Sequence, residues 1–123
     1  MSGRGDAELI QDMLQAAQRA MDYCRGMDYP LFLGDTRTQD AVVRNIQILG
    51  EAAKNTSEAL RLQYDQVPWR SIAGMRDRLV HGYFGVNLEI VWNVVTRALP
   101  DLEVRLRQVL ADICPPAGQP EQQ

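Results

Sequence analysis

Arg76, Asp77, Arg78, His81 and Tyr83 fall within eight consecutive residues, and His81 is the single histidine of the chain. A guanidinium, an imidazole that titrates near neutral pH and a phenol are groups that can hold and cleave a phosphodiester without a metal. In such chemistry His81 acts as general base or acid at a ribose hydroxyl or a leaving oxygen. Arg76 holds the phosphate and offsets the charge that grows in the transition state. Tyr83 donates a hydrogen bond to a phosphate oxygen or positions the substrate, and Arg78 adds a second phosphate contact. Asp77, four residues before His81, orients the imidazole or stabilises its charged form. No cofactor is called for. The plain structural alternative is a salt bridge, a terminal cap and a half-buried phenol near a helix end.

The geometry of a helix limits how these groups meet. On an ideal helix Arg76 and Tyr83 share a face, whereas His81 points about 140° away from Arg76 at about 100° per residue. A working site therefore requires the helix to end or distort near His81, which Gly82 permits. The C-terminal end of the helix dipole also favours an imidazolium there. One histidine per chain leaves either the acid or the base missing. A symmetric dimer with both motifs in one cleft supplies two imidazoles and two guanidiniums, and a strictly monomeric active enzyme would defeat that arrangement.

The elements that must position the motif read as helices. Ile10, Met13, Leu14, Ala17, Met21 and Cys24 follow the i, i+3, i+4, i+7 pattern, with Gly26 as a stop. Asp28 to Gly34 reads as an aromatic-rich connector carrying Tyr29, Pro30 and Phe32. Asp35 or Thr36 caps a second long helix to about Lys54, with an apolar stripe of Val42, Ile46, Leu49 and Ala53 and with Ala52 beside it. Gly50 lies in this stripe at a cost of about 1 kcal/mol against alanine, which close approach of another helix would explain. Ser57 caps a shorter helix to about Tyr64. Pro68 fits the first turn of the motif helix, Trp69 to about His81, which Gly82 and Gly85 terminate. Asn87 caps a helix packing through Ile90, Val91, Val94, Val95 and Ala98. Pro100 breaks or kinks that helix, or opens the next. Leu102, Leu106, Val109, Leu110 and Ile113 supply the last apolar face. The pattern predicts an all-α, compact antiparallel bundle of about five helices.

Composition sets outer bounds. The 123 residues and 46% hydrophobic content predict one globular domain with a real core. That domain spans residues 1–114, with 1–5 a frayed lead and the Pro/Gly/Gln/Glu-rich 115–123 a disordered tail. Polar residues interrupt every apolar run, so no membrane span is expected, and without a hydrophobic signal core a cytoplasmic location is expected. Cys24 and Cys114 are far apart and read as reduced thiols, and one histidine without a cysteine cluster makes a zinc site improbable. The net charge of −3 argues against coating nucleic acid by charge alone. It leaves room for a small basic site, and all but one of the 13 basic residues are arginine, the exception being Lys54.

Further blocks carry a resemblance. Thr38-Gln39-Asp40-Ala41-Val42-Val43-Arg44-Asn45, followed by Ile48-Leu49-Gly50-Glu51-Ala52-Ala53-Lys54, resembles the second-helix signature of the HepT-like family of HEPN proteins. Val67-Pro68-Trp69-Arg70-Ser71-Ile72-Ala73-Gly74-Met75-Arg76 resembles the lead into that family's Arg-x4-His-x-Tyr motif, and Val91-Trp92 and Ala98-Leu99-Pro100-Asp101-Leu102 look like its closing segment. The resemblance implies an all-helical homodimer with Arg76 and His81 of both copies meeting in an interfacial cleft. It implies a ribonuclease toxin acting on RNA, paired with an MntA-type minimal nucleotidyltransferase antitoxin. That partner uses ATP and magnesium to transfer AMP to the motif tyrosine, which makes Arg76 and His81 catalytic and Tyr83 the AMP acceptor. Gly82 stands where many relatives carry an acidic residue, which adds freedom around His81 and removes a charge. The alternative is a noncatalytic helical adaptor that binds or regulates a nucleotidyltransferase.

Other residues keep two readings. Glu51 pairs with Arg44 or Arg76, or is solvated. Trp69 and Trp92 are base-stacking platforms or, more commonly, junction packing. Arg70, Arg76 and Arg78 face an RNA channel, or Arg70 is simply solvated.

Overall fold

Local capping chemistry explains most of the helix boundaries. The computed structural model describes residues 4–80 and 87–114. Helix α1 (Asp6–Tyr23) starts at Gly5, whose N–H donates to Glu8 Oε1 at 3.0 Å, and Arg4 pairs with Asp12 at 2.8 Å. It buries Leu9, Ile10, Met13, Leu14, Ala16, Ala17 and Ala20. Of the expected stripe Ile10, Met13, Leu14 and Ala17 are among these, Cys24 is buried just beyond the helix and Met21 is only partly buried. The chain leaves α1 through Gly26, whose φ of 80° is costly for any residue with a Cβ.

The expected connector contains a short helix. In α2 (Tyr29–Leu33) Asp28 accepts from Leu31 N–H at 3.0 Å, and Pro30 occupies the first turn, where a missing N–H costs nothing. Gln39 Nε2 donates to the carbonyls of Phe32 and Leu33 at 2.9 and 3.0 Å, satisfying the far end. The helix turns Phe32 fully inward, against Trp92 with ring centroids 5.2 Å apart. Five residues are too few for periodicity to reveal, although the Asp28–Pro30 pair is a start signal.

Asp35 caps α3 (Thr36–Asn55), and its carboxylate accepts from both the N–H and the hydroxyl of Thr38. Val42, Ile46, Leu49, Ala52 and Ala53 are buried along it, as is Gly50. Ser57 does two things at once. It caps α4 (Glu58–Gln63) by accepting from Leu60 N–H at 3.1 Å, and its own N–H and hydroxyl donate to Asp6 at 2.9 and 2.6 Å. The start of α4 is thereby latched to the start of α1. Helix α5 (Trp69–Val80) carries the first part of the motif, and Pro68 O accepts from Ile72 N–H in its opening turn.

The closing segment departs most from expectation. Asn87 caps α6 (Leu88–Asn93), and the chain continues through a π-helical stretch, Val94–Ala98, into α7 (Leu99–Ile113). Backbone angles stay helical throughout, and Leu99 N–H reaches back five residues to Val94 O. Pro100 explains the wide turn. In an α-helix its ring would meet the carbonyl of Thr96 and leave that group without a donor. Pro100 stands in the first turn of α7, so it opens the next segment, one of the expected alternatives, while the backbone passes into it without a break. The extra residue shifts the register, so the expected core position Ala98 is exposed and Leu99 is fully buried. Ile90, also expected to pack inward, is 37% exposed.

Helix α1 lies along α3 and α7, and α3 lies along α5, so one apolar core runs through an all-α bundle. Leu102, Leu106 and Val109 are buried, with Leu110 and Ile113 partly so. Gln18 Nε2 donates to Glu103 at 3.0 Å, joining α1 to α7. No helix among the described residues is long and apolar enough to cross a membrane. Cys24 is buried, which pushes its thiol pKa up, whereas Cys114 is exposed.

The Asp35 cap carries a pH dependence. Hydrogen bonds from Thr38 hold this carboxyl below its usual range. Its contribution to stability is present above the unfolded carboxylate pKa of about 3.9 and is lost as pH falls through the folded value. Asparagine also caps but does not titrate. The melting-temperature advantage of wild type over Asp35→Asn is therefore expected to shrink below about pH 4, as thermal unfolding across pH would show.

Candidate active site

Helix α5 places Arg76, Asp77 and Arg78 in its second half. Met75 and Leu79 beside them are 6% and 0% exposed and fix that part of the helix to the core. Asp77 and Arg78 are both exposed. His81, Gly82, Tyr83 and Gly85 lie outside the described residues, as do the 115–123 tail and Met1–Gly3.

Two adjoining clefts flank the motif helix. The larger, about 1010 Å³, is lined by Lys54, Arg61, Asp65, Trp69, Arg70 and Arg78, among others. The smaller, about 260 Å³, is lined by Gly50, Glu51, Lys54, Arg70, Ala73, Gly74 and Asp77. Lys54, Arg70 and Ala73 border both. Gly50 on α3 and Gly74 on α5 both line the smaller cleft, and a Cβ at Gly74 would meet no atom within 4 Å.

The larger cleft holds four cationic side chains against the single carboxylate of Asp65. Arg61 is partly committed, since its Nη1 donates to the Thr56 carbonyl and, at 3.3 Å, to the Thr56 hydroxyl. That contact covers the C-terminal end of α3, where free carbonyls would otherwise repel an anion. Lys54, Arg70 and Arg78 have no ion-pair partner among the described residues, whereas Arg4, Arg25, Arg105 and Arg107 are each paired with a carboxylate. Glu51 is exposed and makes no ion pair with Arg44 among the described residues.

Both tryptophans are engaged in packing. Trp69 is 6% exposed and its indole donates to Tyr64 O at 2.9 Å. Half-buried Trp92 packs on Phe32 and, with ring centroids 6.0 Å apart, on Tyr29. Sequence reasoning grouped Arg70 with Arg78 but passed over Lys54 and Arg61. No spacing rule joins them, because they come from the end of α3 and from α4. Only their shared helix-end positions, each in a last turn, hinted at a basic cluster.

Residues 13–109 match the family described as Ribonuclease HepT-like, a span that contains all five motif residues. The chain belongs to the HepT-like family. It is 38% identical over 104 residues to "Putative RNase MJ0127" of Methanocaldococcus jannaschii, covering 85% of this chain and 86% of that protein. It is 37% identical over 101 residues to "Putative RNase TTE0752" of Caldanaerobacter subterraneus, covering 82% and 90%. It is 33% identical over 106 residues to "Probable ribonuclease HepT" of Thermococcus cleftensis, covering 86% and 96%. These relatives are matched over most of their length. No solved structure matches the chain.

Proposed function

We propose that this protein is a metal-independent endoribonuclease toxin of a toxin–antitoxin pair, with Arg76 and His81 as its catalytic residues. Family membership carries the proposal, together with an Arg-x4-His-x-Tyr spacing at 76, 81 and 83 on and just beyond α5. The exposed Arg78 and the cationic cleft it borders support a phosphate-binding site there.

In this reading His81 of one copy takes the proton of a ribose 2′-hydroxyl. The 2′-oxygen bonds to phosphorus, the bond to the 5′-oxygen breaks, and His81 of a second copy returns a proton to that oxygen. The products are a 2′,3′-cyclic phosphate end and a free 5′-hydroxyl. Arg76 binds the non-bridging oxygens as their charge grows. Asp77 and Arg78 support the imidazole and the phosphate. The homodimer supplies the second histidine that each chain lacks.

Neutralisation follows from charge and bulk. An MntA-type nucleotidyltransferase transfers AMP from ATP to the Tyr83 oxygen and releases pyrophosphate. The added nucleotide fills the phosphate site and repels the substrate backbone. The test is purified protein, freed of any AMP, incubated with total RNA in excess EDTA beside Arg76→Ala. Cleavage by wild type alone is expected. Equal cleavage by both would place the activity elsewhere, and no cleavage with the partner still bound would favour the noncatalytic adaptor.

A further inference from the structure

The larger cleft is not part of the motif, yet Arg78 of the motif helix forms one wall of it. Its cationic excess stands out on a chain whose net charge is −3. Burial and bonding show which cations are available. Lys54, Arg70 and Arg78 are exposed and without carboxylate partners among the described residues, while Arg61 caps Thr56 and keeps further N–H donors. A run of unpaired cations along an open cleft matches a polyanion better than a single small anion, which would be enclosed by converging donors. Trp69 is used up in packing and offers no stacking face, and contacts from these cations to phosphates carry no sequence information.

We propose that Lys54, Arg70 and Arg78 form a sequence-independent track for the phosphates of single-stranded RNA on one side of the bond being cut. This deepens the ribonuclease reading and rests on it for the identity of the polyanion. The track holds the strand by its backbone and feeds the scissile phosphate toward the motif at the end of α5. Arg78 is the residue common to both.

Direct binding tests it without relying on cleavage. The full chain carrying His81→Ala, which spares the RNA, is titrated into a labelled single strand of roughly 12 nucleotides at several salt concentrations. Lys54→Gln with Arg70→Gln is expected to weaken binding about tenfold and to flatten the slope of log affinity against log salt by about 1.4, two phosphates at about 0.7 each. Lys54→Arg with Arg70→Lys should keep affinity and slope. Unchanged affinity and slope in the glutamine pair overturn the track, as does tighter binding of polyglutamate than of RNA, which would make the cleft a protein-docking surface. Both side chains are exposed, and circular dichroism confirms that each variant folds. RNA bound through these residues but never cleaved would keep the track and sink the ribonuclease reading. Normal cleavage with binding untouched by the glutamines would do the reverse.

Discussion

His81→Ala is expected to lower kcat/KM for RNA cleavage by about 10²–10⁴-fold, the range for removing a positioned general acid or base. No other imidazole can stand in, because the chain has no other histidine. In a two-fold dimer the substitution removes both the acid and the base at once, which argues for the upper end of that range. Arg76→Ala should cost about 10²–10³ through lost transition-state charge stabilisation. Arg76→Lys should recover part of it, because lysine keeps the charge but loses the planar fork. Single-turnover cleavage of a defined RNA measures each loss. A His81→Ala protein with the wild-type rate would remove the imidazole from the mechanism.

Leu106→Ala is expected to destabilise the fold by about 2–5 kcal/mol, the range for emptying a buried leucine site. Leu106 is fully buried on α7, where that helix lies along α1, so the cavity would open in the middle of the bundle. For a domain of this size the melting temperature should fall by roughly 10 °C or more. Leu62→Ala gives the internal control. Leu62 is 70% exposed on α4, and its removal should stay within about 0.5 kcal/mol of wild type. Urea unfolding of the two variants separates these outcomes, and equal midpoints would contradict the core placement.

The helix starts were the most legible part of this sequence. Asp35, Ser57 and Asn87 each cap the helix they were expected to cap, because a short side-chain acceptor finding a free N–H is a local event. Two features escaped for different physical reasons. Helix α2 is little more than one turn long, and its far end is completed by Gln39, seven residues from Phe32, so part of the signal lies outside the segment itself. The wide turn before Pro100 changes the period itself, and a fixed 3.6-residue template then assigns Ala98 inward in place of Leu99. At the site, the motif residues stood out by type and spacing. The cleft beside them did not, since Lys54, Arg61, Arg70 and Arg78 become neighbours only when α3, α4 and α5 pack.

The π-helical stretch has a consequence for how this chain tolerates changes in length. One residue gained or lost in an α-helix turns everything beyond it by about 100°. Between Val91 and Leu102 the helix already carries one residue more than regular winding would hold. The rotational phase of α7, and with it the inward aim of Leu102, Leu106 and Val109, is therefore clocked by that single surplus residue. Deleting one residue there would remove the surplus and leave the aim of α7 unchanged, whereas rewinding the turn at full length would swing that face by about 100°, so the wide turn can be lost only together with the residue it absorbs.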